Sequence, residues 1–293
     1  MGLMKALLET YDYALEKGLV NNPDVGISGI TLLPIFHTNK RAQNDREIFE
    51  IILDQNSNPV EGRFLNRDEA IIFPITEESI ARSGRKIAPH AICDELSYLA
   101  VDIDPQKNDA YIQGIESLLD YEENEYKCEN FRIIAKYIMR NTILENFLAL
   151  FLGDAEYKID DKFKLTYEET LANGKRRDIG IDLKKIFITF KLEKIDAGDV
   201  ALTRDKEVQN FYIHYVRKKN SQAKNLFYCN LTGKMDYCVT SHRGVIRRAK
   251  LISSNQPETY YGRLKNREDI YRISYEASQK IHNMLKFLID DRS

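Results

Sequence analysis

The residues best suited to chemistry lie in the last third of the chain. His242-Arg243, Arg247-Arg248 and Lys250 form a run of cations that leads through Leu251-Ile252 into Ser253-Ser254-Asn255-Gln256-Pro257. Tyr260-Tyr261-Gly262-Arg263 follows, and Arg217-Lys218-Lys219 adds a second basic patch upstream. Arg and Lys side chains neutralise phosphates, whereas Asn and Gln amides can read base edges through paired hydrogen bonds. Tyrosine rings beside them can stack or wedge against bases. The candidate contacts are therefore those of nucleic-acid binding, although composition alone does not make them specific. Asn255 is equally suited to fixing a turn through its own main chain.

Patterns for catalysis or metal binding are weaker. Asp102 and Asp104 would share one face of a strand and could then hold a metal ion between them. Asp104 precedes Pro105 and a polar run, which favours a turn at the end of a strand instead. Cys229-x8-Cys238-x3-His242 is the one ligand-like spacing. A structural zinc ion usually takes four ligands, commonly with tight cysteine pairs, and no fourth ligand stands nearby. A small β-hairpin carrying its cysteines incidentally is the expectation, with no metal. Gly174-Lys175 and Gly233-Lys234 lack the surrounding residues of a phosphate-binding loop. The five histidines are scattered, and no Gly-x-Ser-x-Gly elbow accompanies them. Neither an enzyme nor a cofactor is expected; the alternative is a metal-dependent nuclease or RNA processor using Asp102, Asp104 or a histidine.

Composition agrees with a folded protein of mixed class. The chain has 293 residues, of which 43% are apolar and 30% charged, which argues against a disordered or uniformly basic protein. The net charge of −2 conceals an asymmetry: residues 201–293 hold 18 Lys and Arg against 9 Asp and Glu, a net of +9. The remainder is then −11, so a basic last third joins an acidic body. No stretch approaches the roughly 20 apolar residues that a membrane span needs. Four cysteines and no secretory signal make reduced thiols and a cytoplasmic location the expectation.

The elements that must position these residues read as α+β, a mixed, mainly antiparallel sheet with packed helices and a helical insertion. Leu3, Leu7, Tyr11 and Leu15 predict an amphipathic helix at the start. Ile48 to Leu53, Ala70 to Pro74, Ile186 to Leu192, Leu226 to Cys229 and Ala249 to Ile252 read as strands. His90 to Leu99 is read as a helix, and Thr76-Glu-Glu-Ser79 as the cap of a short one. Asn210 to Val216 fits either a strand or a helix end. Residues 104–155 are expected as a helical sub-lobe, acidic to Glu129 and helical from Phe131 to Leu152. Ser274 to Ile289 reads as a final helix with Ala277, Ile281, Met284, Leu285 and Leu288 facing inward.

Several ordered motifs resemble a known family. Leu32-Leu33-Pro34-Ile35-Phe36-His37-Thr38 through Ala42-Gln43 is similar to the opening of the large subunit of the type I-C (Dvulg subtype) CRISPR Cascade surveillance complex. So are Thr76-Glu77-Glu78-Ser79 with Arg82-Ser83-Gly84, and Ile87-Ala88-Pro89-His90-Ala91-Ile92-Cys93-Asp94. Cys229-x-Leu-Thr232-Gly233, His242, Ala249 to Asn255, Gly262-Arg263 and Ser274 to Asn283 continue the likeness in the same order. Residues 105–185 carry least of it. Asn44-Asp-Arg-Glu47 lengthens a link that is usually short, and Leu202 stands about where an aromatic is usual. The family's chains run further through a helical region, so residues 1–293 are expected to be the N-terminal DNA-recognition region of a longer subunit.

The resemblance implies a non-catalytic role in antiviral defence. The large subunit recognises the protospacer-adjacent motif in double-stranded target DNA and helps start R-loop formation. Its partners are then the CRISPR guide RNA, the other Cascade subunits and a helicase-nuclease recruited to the complex, with no membrane involved. Guide pairing supplies most of the sequence identity, which leaves the protein phosphate charge and a few base readers. Lys218, Lys219, Arg243, Arg247, Arg248, Lys250, Ser253, Ser254, Asn255, Gln256, Tyr260 and Arg263 are the expected DNA contacts. A scaffold that only docks other subunits is a third reading.

Overall fold

The computed structural model describes residues 2–22, 31–82, 86–170, 175–193, 198–224, 226–239, 242–246, 249–252 and 271–290. In chain order the elements are α1 (Leu3–Glu16), β1 (His37–Arg41), β2 (Ile48–Leu53), β3 (Pro59–Phe64), β4 (Ala70–Pro74), β5 (Asp94–Glu95) and α2 (Leu96–Leu99). Then come α3 (Pro105–Asn124), α4 (Glu129–Ile138), α5 (Ile143–Leu152), β6 (Tyr157–Ile159), β7 (Lys164–Thr170), β8 (Arg176–Asp182), β9 (Phe187–Leu192) and β10 (Val200–Ala201). Helix α6 (Lys206–Ser221), β11 (Leu226–Tyr228), β12 (Met235–Val239), β13 (Gly244–Ile246), β14 (Ala249–Lys250), β15 (Ile273–Ser274) and α7 (Tyr275–Asp290) complete the order. The fold is α+β with mainly antiparallel sheets. Two compact units divide it: a middle unit, Asn39–Phe211, and a terminal unit built from Met1–Thr38 and Tyr212–Ser293.

The middle unit is centred on β2, whose six residues Ile-Phe-Glu-Ile-Ile-Leu are all buried. A strand flanked on both sides reads as a continuous apolar run, and β2 pairs antiparallel with β3 and parallel with β9. Phe49 and Phe64 meet each other and the rings of Phe147 and Phe151 edge-on over this sheet, with centres 4.7–6.4 Å apart, while Phe147 and Phe151 stack on each other at 5.8 Å. Gly62 on β3 is required there, since a Cβ would stand 2.6 Å from the Phe49 ring. Residues 104–155 supply α3, α4 and α5, which belong to this unit.

Several local expectations change. Only Leu96–Leu99 of the segment 90–99 is helical; Asp94 and Glu95 instead pair with Ile188 and Phe187 of β9. Asp104 lies on no strand with Asp102: it caps α3, its side chain accepting from Lys107 N–H at 3.2 Å, with Pro105 in the first turn. The acidic segment after it is itself the 20-residue α3. Phe131 to Leu152 is two helices, divided at Asn141, whose φ is +57°. Asn210 to Val216 lies within α6.

In the terminal unit α1 packs along α7. Its buried residues are Leu7, Leu8, Tyr11 and Ala14, while Leu3 and Leu15 face solvent, so the apolar stripe is narrower than expected. On α7, Ala277, Ile281 and Met284 are buried as expected, but Leu288 is exposed and Leu285 half-buried. Strands β11, β12 and β15 form one small sheet, and β13 pairs with β14. The strand read over Ala249 to Ile252 is limited to Ala249–Lys250. Among the described residues, no helix is long and apolar enough to cross a membrane.

Candidate nucleic-acid interface

Of the expected DNA contacts, Lys218, Lys219, Arg243 and Lys250 are described, and all four belong to the terminal unit. Arg247, Arg248, Ser253, Ser254, Asn255, Gln256, Tyr260 and Arg263 lie outside the described residues. Lys218 and Lys219 occupy the exposed last turn of α6, where cations also complement the helix dipole. Lys250 is exposed on β14, opposite Gly244 of β13. Arg217, grouped with Lys218 and Lys219 by sequence, has a separate task. Its guanidinium donates to both Glu276 carboxylate oxygens at 2.8 and 2.7 Å, tying α6 to α7.

Arg243 is held by a chain of amide contacts. Its Nη2 donates to Asn283 Oδ1 at 2.6 Å, and Asn283 Nδ2 donates to the carbonyls of Leu33 and Pro34 at 3.1 and 3.0 Å. Tyr11 Oη donates to the same Leu33 carbonyl at 2.9 Å. The turn that receives these bonds continues through Phe36, which is buried with φ at +59° and stacked on Tyr275. A non-glycine residue persists in that region only when its surroundings over-determine it. Residues 33, 243 and 283, distant in sequence, therefore form one support.

Next to Arg243, His242 packs its ring against His282, with centres 6.1 Å apart and planes 13° from parallel. Ser278 Oγ lies 2.8 Å from His242 Nδ1 and 3.3 Å from His282 Nδ1, and His282 Nδ1 donates to the Ser278 carbonyl at 2.6 Å. Burial lowers both imidazoles to about 4; the neighbouring His282 and Lys250 add to the effect on His242, while on His282 the Ser278 carbonyl opposes it and Arg243 adds to it. Both rings are therefore neutral at pH 7, and the local positive charge rests on Arg and Lys.

The hairpin expected between Cys229 and Cys238 is β11–β12. The three ligand-like side chains are engaged separately. Cys229 Sγ accepts from Ser274 N–H at 3.4 Å, Cys238 Sγ lies 3.7 Å from the Phe227 carbonyl, and His242 meets Ser278. Burial would raise the Cys229 thiol, but hydrogen bonds from Thr232 and from the Ser274, Thr232 and Leu231 main chain outweigh it and lower it. Among the described residues, no three His, Cys, Asp or Glu side chains converge to hold a metal ion.

A second gathering of motif residues stands in the middle unit. Arg82 forks onto the fully buried Asp94 at 2.7 and 2.6 Å, and its guanidinium sits 4.6 Å from the Tyr98 ring centre. Asp94 also accepts His90 N–H at 2.8 Å, and His90 Nδ1 lies 2.8 Å from Ser79 Oγ. Thr76 and Ser79 exchange main-chain and side-chain bonds at 3.0 and 3.1 Å, but the short helix that follows is a three-residue 3-10 turn, Ser79–Ala81, whose cap residue Glu78 makes no side-chain capping bond. None of these residues was expected as a DNA contact. Asn283 and Ser278 were also not singled out as positioning residues, although polar side chains on the inward face of α7, beside Ile281 and Met284, signal such a role.

The protein so defined is an α+β chain with its motif residues gathered around two polar centres, one beside exposed cations. A family model described as a CRISPR-associated protein (Cas_Csd1) matches residues 7–293, and the chain belongs to that family. That membership supports the role of a CRISPR-associated Cascade subunit. No curated protein matches the chain.

Proposed function

We propose that the chain is the N-terminal part of the large subunit of a type I-C Cascade, and that it recognises the protospacer-adjacent motif in duplex DNA. The observation that carries this reading is the excess of cations in residues 201–293, 18 against 9 acids, on a chain of a CRISPR-associated family. The exposure of Lys218, Lys219 and Lys250 and the bracing of Arg243 through Asn283 support it. The cations hold phosphates, while Asn255 and Gln256 read base edges and Tyr260 stacks or wedges. R-loop formation then proceeds by guide pairing, with the other Cascade subunits, the guide RNA and a recruited helicase-nuclease as partners. The chain itself carries out no cleavage.

Competition binding by the assembled complex, with correct-motif and wrong-motif duplexes, tests this. Arg248→Ala weakens binding to all duplexes alike and reduces the salt slope by about one. Asn255→Ala or Gln256→Ala removes about 1–3 kcal/mol of discrimination and leaves nonspecific affinity nearly intact. Full discrimination by both amide variants rejects base reading by this segment. Cleavage of nucleic acid by the purified chain with added divalent metal ions rejects the non-catalytic role.

A further inference from the structure

Strand β8 closes one side of its sheet and leaves the other side open. Its seven residues pair in unbroken antiparallel register with β7, from Lys164–Asp182 to Thr170–Arg176. One step beyond, Leu183 N–H donates to the Phe163 carbonyl at 3.0 Å, which sets the parity of the ladder. Main-chain groups alternate in such a pair between the partner strand and the opposite side. Arg177, Ile179 and Ile181 thus turn theirs to β7, and Asp178, Gly180 and Asp182 turn theirs outward. Among the described residues no other main-chain group receives them.

That edge borders a cleft of about 690 Å³ whose lining also includes the β1–β2 connection from Gln43 to Glu47. A long exposed edge is a template for another strand, and proteins ordinarily cover or blunt it. At Gly180 in the middle of this one, the space a side chain would take is filled by the Lys164 side chain, whose Cε would stand 2.7 Å from a Cβ there. Arg177 and Asp178, adjacent and so facing opposite sides of the sheet, form no ion pair among the described residues.

We infer that the open edge of β8 accepts an extended segment of a partner protein subunit, with a basic side chain against Asp178 and an acidic one against Arg177. The edge alternates N–H donors with C=O acceptors at strand spacing, which another polypeptide matches group for group. A nucleic-acid backbone presents phosphate acceptors and leaves the carbonyls of the edge unanswered. Charges of both signs that form no ion pair among the described residues also fit a protein segment better than a polyanion. The inference rests on the reading of the chain as a subunit of a multi-protein complex.

The test uses the full chain in the assembled complex, with a photoreactive benzoylphenylalanine in place of Asp178. Irradiation should join this position to another protein subunit, within a segment identified by mass spectrometry. Linkage to nucleic acid alone, or no linkage in a complex that has formed, overturns the inference. Asp178→Pro removes an outward N–H and leaves the ladder to β7 intact. It should weaken association with the other subunits about tenfold, equivalent to about 1.4 kcal/mol, with unchanged circular dichroism. Wild-type association of the folded variant overturns the inference; if the variant does not fold, the photolinkage decides. A wild-type chain that joins no complex removes the subunit reading and this inference together.

Discussion

Each unit holds a polar centre together, and the two centres do so with different chemistry. The middle unit buries a charge pair: Asp94 is fully enclosed and answered by the fork of Arg82. At the centre beside Arg243 the terminal unit uses neutral groups, with Asn283 bridging to Leu33 and Pro34 and Ser278 between two uncharged imidazoles, while the Arg217–Glu276 pair ties α6 to α7 elsewhere in the unit. The difference has a consequence for charge. Where Arg82 is consumed by its internal partner, Lys218, Lys219 and Lys250 remain exposed at the surface of the terminal unit. The neutral support beside Arg243 itself adds no carboxylate to compete with a polyanion, and the Glu276 carboxylate of α7 is answered by Arg217 and Lys280.

The largest effect should come from breaking the charged centre on one side only. Asp94→Ala leaves the Arg82 guanidinium and the His90 N–H without their shared acceptor in a region of low exposure. The expected loss is about 3–5 kcal/mol, because an uncompensated charge is left behind. Replacing both partners, as Arg82→Met with Asp94→Leu, should recover most of it, and urea unfolding of the single and double variants measures both. A double variant as unstable as the single one would mean that packing rather than charge governs this centre.

Acidification sharpens the contrast. His37, His242 and His282 in the terminal unit and His90 in the middle unit are all lowered by burial to about 4 from 6.5. The folded state then binds protons less readily than the unfolded chain. Their contribution is intact above pH 6.5 and is lost as the pH falls from there towards 4, by about 3 kcal/mol for each ring that titrates alone. His242 and His282 face each other between Arg243 and Lys250, so they do not titrate independently. In the middle unit, burial raises Glu50 and Glu95, and mild acid relieves them. Hydrogen exchange at pH 7 and pH 5 should therefore show the terminal unit loosening first; equal loosening of both units contradicts the assignment.

Asn283→Ala tests the neutral support directly. It removes the bonds to Leu33, Pro34 and Arg243, at an expected cost of about 2 kcal/mol. Duplex binding should weaken further than stability alone explains, since Arg243 loses its brace. Binding measured well below the melting temperature separates the two effects.

What the sequence disclosed follows from how local each cause is. Ile48 to Leu53 is legible because six successive buried residues need no distant information. Ile92, Leu96 and Leu99 suggested a helix from His90 by spacing, yet Asp94 must reach Arg82 and pair with Ile188, and this tertiary demand overrides the period. Asp104-Pro105 carried the signature of a helix start, but the charges around Tyr111, Ile115 and Leu118 obscured the buried stripe of α3. In the candidate interface, the exposure of Lys218 and Lys219 was legible from composition. The diversion of Arg217 was not, since Glu276 lies 59 residues away.

The smallest expected effect separates basic charge from basic surface. Arg176, on β8 of the middle unit, pairs with Glu168 at 3.1 Å across two exposed side chains, 72% and 50% accessible. Such a pair gives little Coulomb energy in water and costs side-chain entropy, so Arg176→Ala should change stability by less than about 1 kcal/mol. If the terminal unit carries the nucleic-acid surface, the same substitution should leave duplex affinity and its salt slope unchanged. Lys250→Ala, also one positive charge, should lower the affinity and reduce the slope by about one. Both variants change the net charge of the chain by the same amount, so a general electrostatic attraction predicts equal losses. Equal losses, measured between low and physiological salt, would place the attraction in the whole molecule and remove the distinction between the units.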